Sequence, residues 1–338
     1  MAFAIALLHA VFLVVLASNL AYLRRRGAGR APGGAPGEAP FVSVLIPARD
    51  EEENLRRLLP LLLEQDYPGY EVIVYDDASD DGTWQVLDGI RSERLRPLRG
   101  DGPPPGWVGK VHALYQATRH ARGTYYLFLD ADARLSDAGA LRRLIAHAAA
   151  LPPDAVLTGL TRLRGGAKLI VSLVPWVILC QLPWALVRPV RHASLGALNG
   201  QCWMIDAAAY HRHEPHAHVA GEILEDVEIG RYLKRCGLTP ALVDVQREVA
   251  GVGTNRAEPL ADEGDLGAWQ TRENLVGPDR IKGGGPVEQR PIEALGRVFH
   301  VVFFAEGEQR DLEGRDGRRP EDAVMVVVLL DGGRRRAG

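Results

Sequence analysis

The chain has 338 residues, enough for one large α/β domain or two smaller ones. Its formal net charge of −3 and 46% hydrophobic content suit a packed core and argue against a general nucleic-acid binder. Three well-separated cysteines, Cys180, Cys202 and Cys236, lack metal-ligand spacing and read as core thiols in a reducing compartment.

Ala2 to Leu23 is almost uncharged, with His9 and Asn19 as its strongly polar residues. It is long enough to span a bilayer as a helix. Arg24, Arg25 and Arg26 follow it, whereas a cleaved signal peptide carries its positive charge ahead of the apolar run. The positive-inside rule places these arginines, and everything after them, on the cytoplasmic side of the cell membrane. Residues 1–26 are thus expected to be a single-pass anchor. Residues 27–40, rich in Gly, Pro and Ala, are expected to be a flexible linker.

Phe41 to Ile46 is a strand pattern stopped by Pro47. After Ala48 comes an acidic run from Asp50 to Glu53, then a helical leucine pattern through Leu63. Tyr70 to Tyr75 predicts a second strand, running into Asp76 and Asp77, with a helix starting near Thr83. A short third strand is expected over Leu95 to Leu98. A Gly/Pro-rich loop then leads to Lys110 and a helix over Ala113 to Ala121. The run Thr124 to Leu129 has the length and composition of a buried strand, and it ends in Asp130-Ala-Asp132. An Asp-x-Asp on a strand would aim both carboxylates at one spot, as a hard divalent cation requires. The plainer reading makes Asp132 the cap of a following helix.

Strands alternating with helices imply a mostly parallel sheet covered by helices on both faces. Sites in such sheets lie at the carboxyl ends of the strands, where Pro47, Asp76/Asp77 and Asp130/Asp132 fall. Pro47 with the acidic helix start, Asp77 to Thr83, and Asp130-Ala-Asp132 resemble, in order and spacing, the family 2 glycosyltransferases of the GT-A fold. Gly106-Trp-Val-Gly-Lys110 resembles the loop of members that act on ceramides, hopanoids and carotenoids.

The resemblance implies a Rossmann-like nucleotide-sugar domain over residues 41–245. It implies an inverting transfer from a nucleotide-sugar, a UDP-sugar for preference, to a hydroxyl of a lipid acceptor, with Mg2+ or Mn2+. Pro47, Ala48, Glu51 and Asp77 would face the nucleoside. Asp130 and Asp132 would hold the diphosphate through the metal, with Lys110 nearby. Glu225-Asp226, at the mouth of a helix, resembles the family's acidic pair, and Asp226 takes the role of general base.

The apolar stretch 169–187, broken by Pro175, Pro183 and Gln181, is expected to lie in the membrane interface or to form a core helix pair, in preference to a true span. Leu198 to Ile205 predicts another strand. His211, His213, His216 and His218 read as a solvated loop, and Ile223, Val227 and Leu233 as the buried face of the next helix. After Val245 the resemblance stops. Relatives continue with an arginine-rich motif, and neither Gly253-Thr-Asn-Arg256 nor Trp269-Gln-Thr-Arg272 matches it. Residues 246–338 read either as a diverged, disordered tail or as the product of a slipped reading frame. The alternative function is therefore a catalytically incomplete nucleotide- or lipid-binding protein of the same fold.

Overall fold

A computed structural model describes residues 2–27, 39–164, 178–252, 297–303 and 325–331. The linker, the first half of the apolar stretch, the two candidate arginine motifs and most of the tail lie outside these residues. The chain divides into two units, residues 1–275 and 276–338.

In chain order, the first unit contains α1 (Ala2–Gly27), β1 (Val42–Ala48), α2 (Glu52–Leu63), β2 (Tyr70–Asp77), α3 (Thr83–Gly89), β3 (Leu95–Gly100) and α4 (Gly109–His120). It continues with β4 (Tyr125–Leu129), β5 (Ala133–Leu135), α5 (Ala140–Ala149), β6 (Ala155–Leu160) and β7 (Arg162–Arg164). Then come α6 (Trp184–Val187), β8 (Cys202–Asp206), α7 (Ala207–His213), α8 (Pro215–His218), α9 (Glu225–Arg235), β9 (Thr239–Asp244) and β10 (Val249–Val252). The second unit's described residues form one antiparallel pair, β11 (Arg297–Phe303) with β12 (Met325–Asp331).

The main sheet has seven strands in the order β3-β2-β1-β4-β8-β6-β9. All neighbours run parallel except around β8, which is antiparallel to β4 and β6. Every residue of β1 and β2 is buried, as strands covered on both faces must be. Val44 and Ile46 join the core under α2, α3 and α5, while the intervening Leu45 joins the core under α4 and α9. This alternation is the pleat made visible in the sequence. Because β1, β2 and β4 are parallel, their carboxyl ends share one edge, with Ala48 beside Asp76.

Four local expectations are corrected. Helix α4 begins at Gly109 and takes Lys110 into its first turn. Asp130 and Asp132 sit on a turn between β4 and β5, neither on the strand nor capping a helix. The histidine segment is helical, and His216 is fully buried against Phe128 and Trp203, with the Tyr210 hydroxyl 2.8 Å from its Nδ1. The buried face of α9 is Ile229, Gly230, Leu233 and Lys234, while Ile223 is exposed. Leu233 is buried as expected and Val227 is half-buried, but Ile223 precedes the helix and does not belong to its buried face. The three cysteines are free, with Cys180 and Cys202 buried.

Helix α9 is seated by glycine. A Cβ on Gly230 would lie 2.5 Å from Ala197 Cα, and one on Gly196 would lie 2.4 Å from the Gly230 carbonyl oxygen. Backbone therefore approaches backbone with no room for a methyl group. Gly230→Ala is expected to push α9 outward and destabilise the fold by about 1–3 kcal/mol. A thermal melt reads this directly, and an unshifted midpoint would show that the helix moves freely.

Candidate active site

The loops after β1 and β2 are laced together. The Asp50 amide donates to Ser79 Oγ at 2.9 Å, and the Asp80 amide returns a bond to Asp50 Oδ1 at 2.9 Å. The Glu51 amide donates to Thr83 Oγ1 at 2.8 Å, and the Gly82 amide donates to Glu52 Oε2 at 3.2 Å. The acidic run thus does more than suit a helix dipole, because its side chains fasten the neighbouring loop. Asp50 and Ala78 both adopt positive φ, 55° and 57°. Asp tolerates that conformation and Ala does so at a cost, so the tight path of both loops is imposed by the structure around them.

Asp76 and Asp77 at the end of β2 are fully buried. Asp76 accepts from the Ser79 amide at 3.2 Å and lies 3.9 Å from Arg99 Nε. Asp77 Oδ1 lies 3.6 Å from His112 Nδ1. His112 stands edge-on to Trp107 and Tyr75, and burial lowers its pKa. The sequence reading did not single out His112. Its signal was its place two residues after Lys110 in a helix that starts earlier than expected.

Lys110 joins the separate acidic stretches. Its ammonium lies 2.9 Å from Asp130 Oδ1 and 3.2 Å from Glu225 Oε1. Burial opposes its charge, but Asp130 and Glu225 outweigh that and raise its pKa. Asp226 stands beside Glu225 in the first turn of α9. Its Oδ2 accepts from the Gly200 amide at 3.0 Å and its Oδ1 from the Val227 amide at 2.8 Å. Burial, then the Glu225 charge, push the Asp226 carboxyl up to about 6. Two amides fix the group while burial keeps it basic.

On the other side, Glu51 and Asp132 are each pushed up to about 7, chiefly by burial and then, net of compensating contacts, by neighbouring carboxylates, Asp130 among them. Asp130 is also raised by burial, against the pull of Lys110. Behind the turn, Arg134 donates to the Ala133 carbonyl at 2.8 Å and to Asn54 Oδ1 at 2.7 Å, and Asn54 donates to Glu51 Oε2 at 2.7 Å.

The structure therefore brings Lys110, Asp130, Glu225 and Asp226 together. It sets Glu51 and Asp132 within electrostatic reach of Asp130. Pro47 and Ala48 lie at the end of β1, beside Tyr75 and Asp76. Among the described residues, no set of three or more His, Cys, Asp or Glu side chains forms a ready metal cage. Asp132 Oδ1 is nonetheless buried without a hydrogen-bond partner among them. Hard carboxylate oxygens, one of them orphaned and next to like charge, are donors that would suit a Mg2+ or Mn2+ ion.

These shifts carry a stability consequence. A carboxyl whose pKa is higher folded than unfolded takes up a proton on folding. The stability linked to Glu51, Asp132 and Asp226 is thus fully present below about pH 4 and is lost as pH rises through about 6 to 7. Glu51→Gln is expected to stabilise the protein at pH 8 by on the order of 1–2 kcal/mol after solvent screening, with little gain at pH 4. Melting curves at the two pH values check this, and equal shifts at both would contradict it.

Residues 43–179 match the model of the glycosyl transferase family 2. This stretch is a family 2 glycosyl transferase domain. The mostly parallel, helix-covered sheet around it is the architecture that the sequence implied.

The chain is 26% identical over 212 residues to the 4,4'-diaponeurosporenoate glycosyltransferase of Staphylococcus haemolyticus, covering 58% of this chain and 52% of that protein. It is 34% identical over 104 residues to the Staphylococcus aureus protein of the same name, covering 31% and 27%. The matched region thus spans about half the length of the first relative and about a quarter of the second. Among solved structures, a mannosyltransferase from Pyrobaculum calidifontis, in complex with GDP-Man and Mn2+, aligns over 75% of this chain and 69% of its own. The TM-score is 0.47, at 20% identity. The 1–349 portion of S. aureus TarS with UDP aligns over 63% and 60%, with a TM-score of 0.45 and 19% identity.

Proposed function

We propose that this protein is a membrane-anchored, inverting glycosyltransferase that moves a sugar from a UDP-sugar to a hydroxyl of a lipid acceptor. The observation that carries this reading is the meeting of Lys110 with Asp130 and Glu225 beside Asp226. A diphosphate-side acidic turn and a candidate base thereby stand at one crevice. The family domain and relatives named for glycosyl transfer to diaponeurosporenoate support the class of reaction and an apolar acceptor.

In this reading Pro47, Ala48, Glu51 and Asp77 line the nucleoside side, with His112 behind Asp77. Asp130 and Asp132 hold a divalent ion, which when bound supplies Lewis-acid stabilisation of the departing diphosphate. Lys110 offsets part of the charge of Asp130, Glu225 and Asp226, and so keeps the crevice from repelling an anionic donor. Asp226, held by the Gly200 and Val227 amides, takes the proton of the acceptor hydroxyl as that oxygen attacks the anomeric carbon. Attack by the acceptor itself in one displacement inverts that centre.

Helix α1, the one described helix long and apolar enough to cross a membrane, anchors residues 41–245 on the cytoplasmic side of the cell membrane, with residues 246–338 as an atypical tail. Purified full-length protein, incubated with UDP-sugars, Mn2+ and a membrane lipid extract, is expected to yield lipids heavier by one sugar. Donor binding with no turnover under any donor would overturn the enzymatic reading in favour of a binding protein.

A further inference from the structure

The end of α1 is built into the domain. Asn19 is fully buried in a helix whose residues up to Leu23 are mostly apolar. Its Nδ2 donates to the Leu179 and Leu182 carbonyls at 2.8 and 2.7 Å, and its Oδ1 accepts from the Trp184 amide at 2.8 Å. All three bonds go to the backbone around α6, a geometry a loose tether would not produce. One turn later, Leu23 packs with Leu160, Leu182, Trp184, Val187 and Leu242. By contrast Phe3, Leu7, Val11 and Val14 are exposed. The helix changes from uncovered to docked at Asn19, and residues 2–18 span roughly 26 Å, close to the hydrocarbon thickness of a bilayer at about 30 Å.

A second feature lies on α6 and the turn that follows it. Trp184 and Val187 face the docked end of α1, whereas Leu186 and Val190 are exposed. The Val190 amide donates to the Leu186 carbonyl at 3.0 Å, so these two side chains share one helical face. Arg188 and Arg191 are exposed in the same segment, and Arg188 shares its charge with Asp154 at 2.9 Å. Arg24 to Arg26 close α1 next to it. Exposed apolar side chains with arginines on the same segment, continuous with the docked end of a membrane-length helix, match the headgroup layer of an anionic bilayer.

We propose that the Leu186–Arg191 segment is a membrane seat, held at a fixed pose on the anionic headgroup layer by the Asn19 latch. Deepening the anchored reading above, it fixes the height and tilt of the crevice over the membrane, so that an apolar acceptor meets one orientation of the site.

The test uses the full chain in nanodiscs of phosphatidylcholine with phosphatidylglycerol. A polarity-sensitive fluorophore is placed by Leu186→Cys in a Cys236→Ser background, with Glu64→Cys as the exposed control. The label at 186 is expected to be quenched by a headgroup nitroxide lipid and shielded from iodide, with the reverse at 64. Val190→Asp and Asn19→Leu are each expected to abolish the lipid quenching, and Arg191→Gln to reduce it in the mixed nanodiscs alone. Circular dichroism melts confirm that the variants fold.

Iodide quenching at 186 equal to that at 64 would overturn the seat. Unchanged quenching in Asn19→Leu would overturn the latch, and an Arg191→Gln effect identical in pure phosphatidylcholine would overturn the anionic partner. The label reads seating without donor or acceptor, so this outcome is separate from any failure of sugar transfer.

Discussion

Asp226→Asn is expected to lower kcat for transfer by roughly 10²–10⁴-fold, the usual worth of a positioned proton acceptor. The binding of a nucleoside diphosphate should barely change. Both carboxylate oxygens of Asp226 accept backbone amide bonds, from Gly200 and Val227. An asparagine can accept only one of them and would set its own N–H groups against the other amide. Folding therefore has to be read beside activity, by circular dichroism and a thermal melt. Asp226→Glu keeps the charge but moves it, and should retain the fold while losing most of the rate. Because the carboxyl is pushed up to about 6, kcat/KM is expected to rise with pH through about 6 and then level. A wild-type profile flat from pH 5 to 8, or loss of nucleotide binding in a folded Asp226→Asn, would remove Asp226 from the role of base.

The second large effect concerns the acidic turn. Asp132→Asn is expected to abolish the Mn2+-dependent rise in melting temperature in the presence of UDP. It should cut transfer on the order of 10³-fold, as loss of several kcal/mol of charge stabilisation would. The reason is local. Asp132 carries a buried oxygen without a hydrogen-bond partner among the described residues, and it sits against Asp130 and Glu51. Neutralising it removes a ligand and relieves like-charge crowding at once. The variant should therefore be more stable than the parent at pH 8 without metal, while gaining nothing from Mn2+. Isothermal titration of Mn2+ with UDP, run beside the melts, separates the two effects. A variant that still binds Mn2+ and UDP as the parent does would assign the metal to other residues.

The sequence by itself determined the order of strands and helices from Phe41 through Leu129, but not the short β5 that follows the acidic turn. Fully buried parallel strands read as unbroken apolar runs, and their ends are marked by proline and aspartate. It also picked out the carboxylates: Asp76/Asp77 and Asp130/Asp132 close such runs, and Glu225/Asp226 was found by its resemblance to the family's acidic pair. The buried face of α9 was only partly read, because Ile223 is apolar yet exposed ahead of the helix, while Leu233 is buried as expected and Ile229 was overlooked. His216 was misread because a histidine among other histidines looks solvated, while its burial depends on Phe128 and Trp203 from distant strands.

What only the tertiary structure decided is which groups meet. Lys110 and Glu225 are more than a hundred residues apart, and no local pattern joins them. The parallel sheet and the glycine contact that seats α9 put them 3.2 Å apart. Asn19 is the same case. In the sequence it is a polar blemish in an apolar helix, and only the carbonyls of Leu179 and Leu182 and the amide of Trp184 make it a latch. Short-range patterns fix the elements, because propensity and burial act along the chain. Ion pairs and buried hydrogen bonds depend on three-dimensional proximity, which those patterns do not encode one residue at a time.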